Sequence, residues 1–253
     1  IVLELASEIQ QKLLSKGIKS VIMKTFESYP DVGHDIDLVV PKRFGGSVMY
    51  ILTRLGAKYS KPPLHQRFTE KATYLFTRDS FVVEVDIYHR LSLFEDYFPI
   101  EPIIERGVDK TIEGVTITST SPEDTVLILC VHALYKHGLI TLSDIITTAR
   151  LLKKGLDWKY IESTAETAGI KYGLTLFISK VQRALELLNR RRNDKVYLWN
   201  VYLPVILTRS EMTKLYAYKV KEDLSKLRIG SGVKASLRTV FYNLKLWELM
   251  TKL

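Results

Sequence analysis

The chain has 253 residues, 46% of them hydrophobic, which is enough for one large or two modest domains with a substantial apolar core. Its formal net charge is +9, and residues 180–253 hold the whole excess, with sixteen basic against six acidic side chains. This asymmetry indicates a polyanionic partner. No apolar run is long enough to span a bilayer, so we do not expect a membrane protein. A single cysteine, Cys130, excludes a disulfide within the chain, and we expect a cytoplasmic protein with Cys130 packed in its core.

The first half of the chain alternates between helix and strand patterns. Apolar residues at helical spacing predict a helix over residues 2–16, and the apolar run 20–24 predicts a short strand. A second helix is predicted over 48–55. The β-rich runs 73–77 and 81–88 flank a short polar turn and predict an antiparallel hairpin.

The segment Gly33-His34-Asp35-Ile36-Asp37-Leu38-Val39-Val40 predicts a strand with one acidic face. Side chains alternate along a strand, so Asp35 and Asp37 share one face while Ile36 and Leu38 share the other. Adjacent carboxylates repel each other and are costly to cluster unless a cation lies between them. A hard divalent ion with oxygen ligands, such as Mg²⁺, is the usual solution.

The later run 81–88 repeats this pattern, with Glu84 and Asp86 on the face opposite its apolar residues. If the two acidic strands are neighbours, Asp35, Asp37 and Asp86 converge on one metal site. Glu84 lies on the same face, and its role as a fourth acidic group or as support for the ligands stays open.

After Ser119 the pattern becomes helical, and the boundary between two domains is expected there, giving residues 1–118 and 119–253. Ser121 is a suitable N-cap, and Pro122 occupies the first helical position. The helical patterns cover residues 122–137, 141–154, 157–168, 172–190, 195–207, 210–228 and 233–252.

Several motifs together resemble a known superfamily. Gly-x-Asp-x-Asp-Leu at 33–38 and Glu-Val-Asp-Ile at 84–87 are similar to the acidic strands of the DNA polymerase β nucleotidyltransferase superfamily. Lys24 after the apolar strand, the helix start Ser121-Pro122-Glu123-Asp124 and the segment Leu142-Ser143-Asp144-Ile145 extend the likeness. They resemble a little-characterised family of prokaryotic nucleotidyltransferases with a C-terminal helical domain.

The resemblance implies an α+β fold, in which a mixed sheet with helices is followed by an all-α helical domain. It also implies transfer of a nucleotidyl group from an NTP, with Mg²⁺ or Mn²⁺ as cofactor. In this reading Asp35, Asp37 and Asp86 are both the catalytic residues and the metal ligands.

The nucleotide's phosphates would be held by Gly33, His34 and Lys24. Here the chain departs from the superfamily, which usually has Gly-Ser before the first aspartate where this chain has Gly33-His34. Gly33 still allows close approach of the backbone to a phosphate. Thr25 follows Lys24 where the smaller family usually has glycine.

The acceptor of the nucleotidyl group stays open. A nucleic acid, such as a tRNA end, accounts for the basic last third, in which Arg190-Arg191-Arg192 is either a solvated connection or a binding element. A small molecule and a partner protein are the other acceptors. The alternative from another class is a degenerate nucleotidyltransferase that binds a nucleotide or RNA without chemistry.

The histidines do not predict a zinc site. His132 and His137 lie five residues apart, and none of the histidine spacings is the i, i+4 spacing that places two imidazoles on one face of an α-helix. We therefore expect His132 to be a packing or capping residue.

Overall fold

The chain divides into two units. The first consists of Ile1–Leu91 and Pro99–Thr125, and the second consists of Ser92–Phe98 and Val126–Leu253. Of the helices in the described part of the chain, none is both long and apolar enough to cross a membrane. The computed structural model describes residues 1–27, 29–30, 35–60, 71–91, 97–191 and 205–225.

The first unit contains a mixed seven-stranded sheet. Its strands in chain order are β1 (Val21–Ile22), β2 (Asp35–Val39), β3 (Lys58–Ser60), β4 (Lys71–Arg78), β5 (Phe81–Tyr88), β6 (Val108–Ile112) and β7 (Val115–Ser119). Their order across the sheet is β3-β4-β5-β2-β1-β7-β6, which places β2 and β5 side by side near the middle. The β2–β5 and β1–β7 pairs are parallel, and the other neighbouring pairs are antiparallel.

One face of the acidic strands belongs to the core of this unit. Ile36 and Leu38 of β2 are buried in the same hydrophobic cluster as Leu5, Ile9 and Leu13. These three residues recur at the spacing of one helical face, in the N-terminal helix of the chain. The helices described in this unit are α1 (Val2–Leu14), α2 (Gly45–Arg54) and α3 (Ile100–Glu105).

The hairpin of β4 and β5 has a two-residue turn. Asp79 and Ser80 have φ angles of 46° and 69°, and Arg78 pairs with Phe81 across the turn. Positive φ at both central residues is typical of the tight turns whose twist matches that of the flanking strands. The predicted antiparallel hairpin is confirmed, and its register is fixed by this turn.

The second unit is mainly helical. Its elements are α4 (Pro122–Cys130, which begins in the first unit), a π-helix (Val131–His137), β8 (Leu139–Ile140), α5 (Leu142–Leu152), α6 (Trp158–Thr167), α7 (Lys171–Arg191), β9 (Val205–Ile206) and α8 (Arg209–Ser225). Thr141 and Asp144 form a capping box at the start of α5. Cys130 is fully buried, as expected, and burial raises the pKa of its thiol. A mixed sheet with helices, followed by a helical part, confirms the predicted fold class.

In the second unit, one predicted helix is partly wrong, and other predictions concern residues that the structure does not describe. The helix predicted over 195–207 is wrong at its end, because Val205–Ile206 forms β9 and pairs with Leu139–Ile140. The β-branched pair at 205–206 is better suited to a strand. The helix predicted over 233–252 and the residue Arg192 lie outside the described residues, as do the side chains of Arg190 and Arg191.

Candidate active site

The two acidic strands bring their carboxylates together. In the parallel register of β2 and β5, Asp35 is the partner of Glu84, and Asp37 is the partner of Asp86. Residues two apart on a strand share a face, so all four acidic side chains lie on the same face. Carboxylate oxygens of Asp35, Asp37 and Asp86 lie within 4.8 Å of one another.

Asp37 has an oxygen with no hydrogen-bond partner among the described residues. Asp37 is 7% exposed and Asp86 is 2% exposed, whereas Asp35 is exposed. The Oδ1 atom of Asp37 is buried and forms no hydrogen bond in the part of the chain that the structure describes. Burying such an atom without a partner costs about 1–3 kcal/mol, and more for a charged group. A cation at this position would remove the penalty.

Asp86 is held by two residues of β4. The Thr73 hydroxyl donates to Asp86 Oδ1 over 2.7 Å. The Lys71 ammonium forms an ion pair with Asp86 Oδ2 and lies 3.8 Å from Glu84 Oε1. Lys71 is 17% exposed, so this cation already balances part of the acidic charge from a partly buried position.

Lys24 reaches the site from the loop after β1. Its Nζ atom lies 3.4 Å from Asp37 Oδ2. Its φ of 62° is in the left-handed region, which residues other than glycine seldom occupy. The hydroxyl of Thr25 accepts a hydrogen bond from the Asp37 backbone N–H (3.1 Å) and donates to the Met23 carbonyl (3.3 Å). Thr25 therefore ties the Lys24 loop to β2.

The negative charges of the acidic cluster lie close together, and desolvation and these charges raise the pKa values of groups in it. Asp35 is exposed as a residue, but its carboxyl loses part of its solvation among the neighbouring groups, and this, followed by the charges of Asp37 and Asp86, raises its pKa above the ordinary value. Burial and the charge of Asp86 also raise the pKa of Glu84. The pKa of the Tyr88 hydroxyl is raised well above its usual range by burial, by the Asp37 and Asp86 charges and by a hydrogen bond to Asp37. Tyr88 therefore stays protonated at neutral pH.

The raised pKa of Asp35 gives a pH-dependent stability. A carboxyl that binds its proton more tightly when folded contributes stability below its unfolded pKa, and this is lost as pH rises through the folded pKa. We expect Asp35→Asn to gain stability relative to the wild type between about pH 4 and pH 7. The gain should be below about 1 kcal/mol, because Asp35 is exposed.

Urea unfolding of both proteins at several pH values, in chelator to remove metal, measures this difference. Asp79→Asn is a suitable control, because it removes a carboxylate at the hairpin turn, away from the acidic cluster. A difference between the wild type and Asp35→Asn that is constant across the range would contradict the expectation.

The structure does not describe all of the residues that are predicted to bind the phosphates. Gly33 and His34 lie outside the described residues. Of this set, Lys24 is the residue that the structure places beside the acidic cluster. The roles of all six residues as ligands or phosphate contacts stay predictions.

Sequence reasoning missed three residues at this site. Lys71 and Thr73 contact Asp86 from β4, and Thr25 holds the Lys24 loop. The predicted hairpin offered a signal for the first two, since a turn centred on Asp79-Ser80 places Thr73 opposite Asp86. For Thr25 the signal was the departure from the family's glycine.

The donor set fits a hard divalent ion. Mg²⁺ and Mn²⁺ prefer carboxylate oxygens, and Mg²⁺ is commonly held by one or two carboxylates together with substrate phosphates. Asp37 offers a buried oxygen to which no group in the described ranges donates, and Asp35 offers an exposed carboxylate beside it. The oxygens of Asp86 already accept from Thr73 and Lys71, so an ion at Asp86 competes with Lys71.

Solved structures with a similar fold include nucleotidyltransferase-like proteins. The protein is similar to an antigenic nucleotidyltransferase-like protein from Paracoccidioides brasiliensis, with 16% identity and a TM-score of 0.50 over 79% of this chain and 96% of that chain. It is also similar to the lincosamide antibiotic adenylyltransferase LnuA in its lincomycin-bound form, with 12% identity and a TM-score of 0.40 over 58% of this chain and 94% of that chain.

The protein family is shown by the sequence. A family model described as "uncharacterised nucleotidyltransferase" matches residues 5–186, and the chain belongs to this family. The resemblance to the nucleotidyltransferase superfamily is thereby confirmed. A comparison with curated proteins finds no match.

Proposed function

We propose that the protein is a metal-dependent nucleotidyltransferase that moves an NMP group from an NTP to an acceptor hydroxyl or similar group. The observation that carries this proposal is the convergence of Asp35, Asp37 and Asp86 in a chain of a nucleotidyltransferase family. The Asp37 Oδ1 atom is buried and has no hydrogen-bond partner among the described residues. Residues 1–118 would form the catalytic domain, and residues 119–253 the helical domain.

In this proposal Asp35 and Asp37 would hold the Mg²⁺ or Mn²⁺ that accompanies the triphosphate. Asp86 would hold a second ion, in competition with Lys71. When bound, such ions neutralise the charge of the triphosphate and favour loss of the acceptor's proton. The acceptor oxygen forms a bond to the α-phosphorus, the bond from that phosphorus to the bridging oxygen breaks, and pyrophosphate leaves.

Lys24 would contact a phosphate, together with Gly33 and His34. The Lys24 ammonium lies 3.4 Å from Asp37 Oδ2, so it is already directed at the acidic cluster. A lysine is a compact point charge, which suits a phosphate oxygen without demanding a fixed bidentate geometry. Its tether through Thr25 limits the movement of the loop, which favours phosphate binding by reducing the entropy lost.

The test is incubation of the protein with each α-labelled NTP, with Mg²⁺ or Mn²⁺, and with total RNA, protein and metabolite fractions. We expect one fraction to become labelled, and Asp37→Asn to label none. Binding of a nucleotide without label in any fraction would favour the degenerate, non-catalytic alternative. If no nucleotide binds and no fraction is labelled, the proposal that the protein uses an NTP is contradicted.

Among acceptors, a nucleic acid is favoured by charge, because residues 180–253 hold sixteen basic and six acidic side chains. If this region binds single-stranded RNA, affinity should fall with salt, with a log–log slope of about −0.7 for each neutralised phosphate. Replacing Arg190, Arg191 and Arg192 by Ala should make this slope shallower.

The matched control replaces Lys153 and Lys154 by Ala, since both are exposed and lie outside the basic third. The control should leave the slope nearly unchanged. RNA binding that is absent even at low salt would move a small molecule or a partner protein to first place as acceptor.

A further inference from the structure

A π-helix in the second unit brings two histidines together. Val131–His137 is π-helical and directly continues α4. On an α-helix, residues five apart point about 140° away from each other. The wider turn of a π-helix, with its i→i+5 hydrogen bonds, brings them towards the same face instead. As a result His132 Nε2 and His137 Nε2 are 3.1 Å apart, and the ring centroids are 4.4 Å apart.

This separation is suited to a shared metal ion. Histidine nitrogens lie about 2.05 Å from Zn²⁺, so two of them 3.1 Å apart subtend about 100° at the ion. This angle falls between the octahedral value of about 90° and the tetrahedral value of about 109°. In the absence of an ion, the same distance allows one neutral imidazole to donate to the other.

The π-helix is held firmly by its buried side. Val131, Ala133, Leu134 and Tyr135 are buried, whereas His137 is exposed. A Cβ on Gly173 would lie 2.3 Å from the Tyr135 hydroxyl, so α7 packs directly against the Tyr135 ring. The backbone then turns at Gly138, which has a φ of 67°. The imidazoles therefore project from a turn whose position is fixed by packing, which reduces the entropy lost on binding an ion.

We propose that His132 and His137 form a binding site for a divalent transition-metal ion, with the two Nε2 atoms as ligands and water completing the coordination. Imidazole suits Zn²⁺, Cu²⁺ and Ni²⁺, whereas carboxylates and water suit Mg²⁺ and Mn²⁺. This site therefore takes a different class of ion from the acidic strands. It does not depend on the proposed transferase activity.

The test uses the full chain without a histidine tag, in the Asp35→Asn/Asp37→Asn background, so that the acidic cluster does not contribute. Zn²⁺ and Cu²⁺ are titrated calorimetrically in excess Mg²⁺. We expect one ion per chain, and binding at least about tenfold weaker in His137→Ala, which corresponds to about 1.4 kcal/mol. Lys136→Ala is the matched control, because it alters the same π-helix and leaves both imidazoles; it should bind as the parent does.

Electron paramagnetic resonance of the Cu²⁺ form provides a second readout. The parent should show two coordinating nitrogens, and His137→Ala should show one fewer. The proposal is overturned if neither ion binds, if His137→Ala binds as tightly as the parent, or if Lys136→Ala weakens binding as much as His137→Ala does. Each of these results leaves the proposed transferase activity untouched, because Asp35 and Asp37 are replaced in every protein compared.

Discussion

Asp37→Asn should abolish nucleotidyl transfer while leaving the protein folded. The loss should exceed the roughly 10–100-fold cost of removing a residue that only supports a metal ligand. Within the part of the chain that the structure describes, Asp37 is the member of the cluster whose buried oxygen has no hydrogen-bond partner, and an amide is a weaker ligand for a hard ion. The free energy of unfolding without metal should change by less than about 1 kcal/mol, because lost repulsion from Asp35 and Asp86 opposes the lost Lys24 pair.

Thermal melts separate this expectation from a merely structural role. Mg²⁺ with an NTP binds the folded site, so it should stabilise the wild type by about 2.7 kcal/mol at a hundredfold excess over Kd. Asp37→Asn should lose most of that gain. Asp109→Asn is the control, because it removes a carboxylate from β6, at the edge of the same sheet. If no nucleotide shifts the melting of the wild type, the metal-site interpretation of Asp35 and Asp37 fails.

Lys71→Met should produce the largest loss of stability among the site variants. The substitution leaves the Asp86 carboxylate, which is 2% exposed, without its ion-pair partner. Removing one partner of a buried ion pair costs about 3–5 kcal/mol. Unfolding in urea without metal measures the loss. Lys110→Met makes the matched comparison, because Lys110 pairs with Glu27 on another part of the same unit.

Two further measurements connect this loss to the site. The double variant Lys71→Met/Asp86→Asn should recover much of the stability, because the buried charge is gone along with its partner. Mg²⁺ should stabilise Lys71→Met more than the wild type, since the ion no longer competes with the Lys71 ammonium. Equal stabilisation of both proteins by Mg²⁺ would show that the ion does not approach Asp86.

The acidic face of the site could be predicted from the sequence. A period of two along 35–40 and 81–88 fixed which side chains share a face, because alternation depends only on the extended backbone. This alternation does not predict that β2 and β5 are parallel neighbours. Long-range pairing depends on packing across the sheet, and only the resemblance to a superfamily suggested it.

The cationic side of the site was harder to predict, because it depends on register. The two-residue turn at Asp79-Ser80 pairs Arg78 with Phe81, and this places Thr73 opposite Asp86. Moving one strand by a single residue would turn Lys71 and Thr73 to the other face of the sheet. The sequence located the hairpin, but its polar turn was too broadly defined to fix that one residue.

The π-helix was missed for a different reason. Apolar spacing over seven residues cannot separate a turn closed by i→i+5 hydrogen bonds from an ordinary helical turn. The spacing of His132 and His137 therefore argued against a shared ligand, and the observed backbone reverses that argument.

The left-handed backbone at Lys24 has a consequence for how variants of this protein should be selected. A glycine there would relieve about 1 kcal/mol of conformational cost, and this roughly offsets the loss of the lysine's ion pair with Asp37. If Lys24 contacts a phosphate, as proposed, stability and catalysis are separable at this position. A mutant library ranked by thermal tolerance would accept glycine at Lys24 without penalty, whereas one ranked by turnover would reject it. Comparing the two rankings would distinguish residues that stabilise the fold from residues that are held in a strained backbone conformation at a functional site.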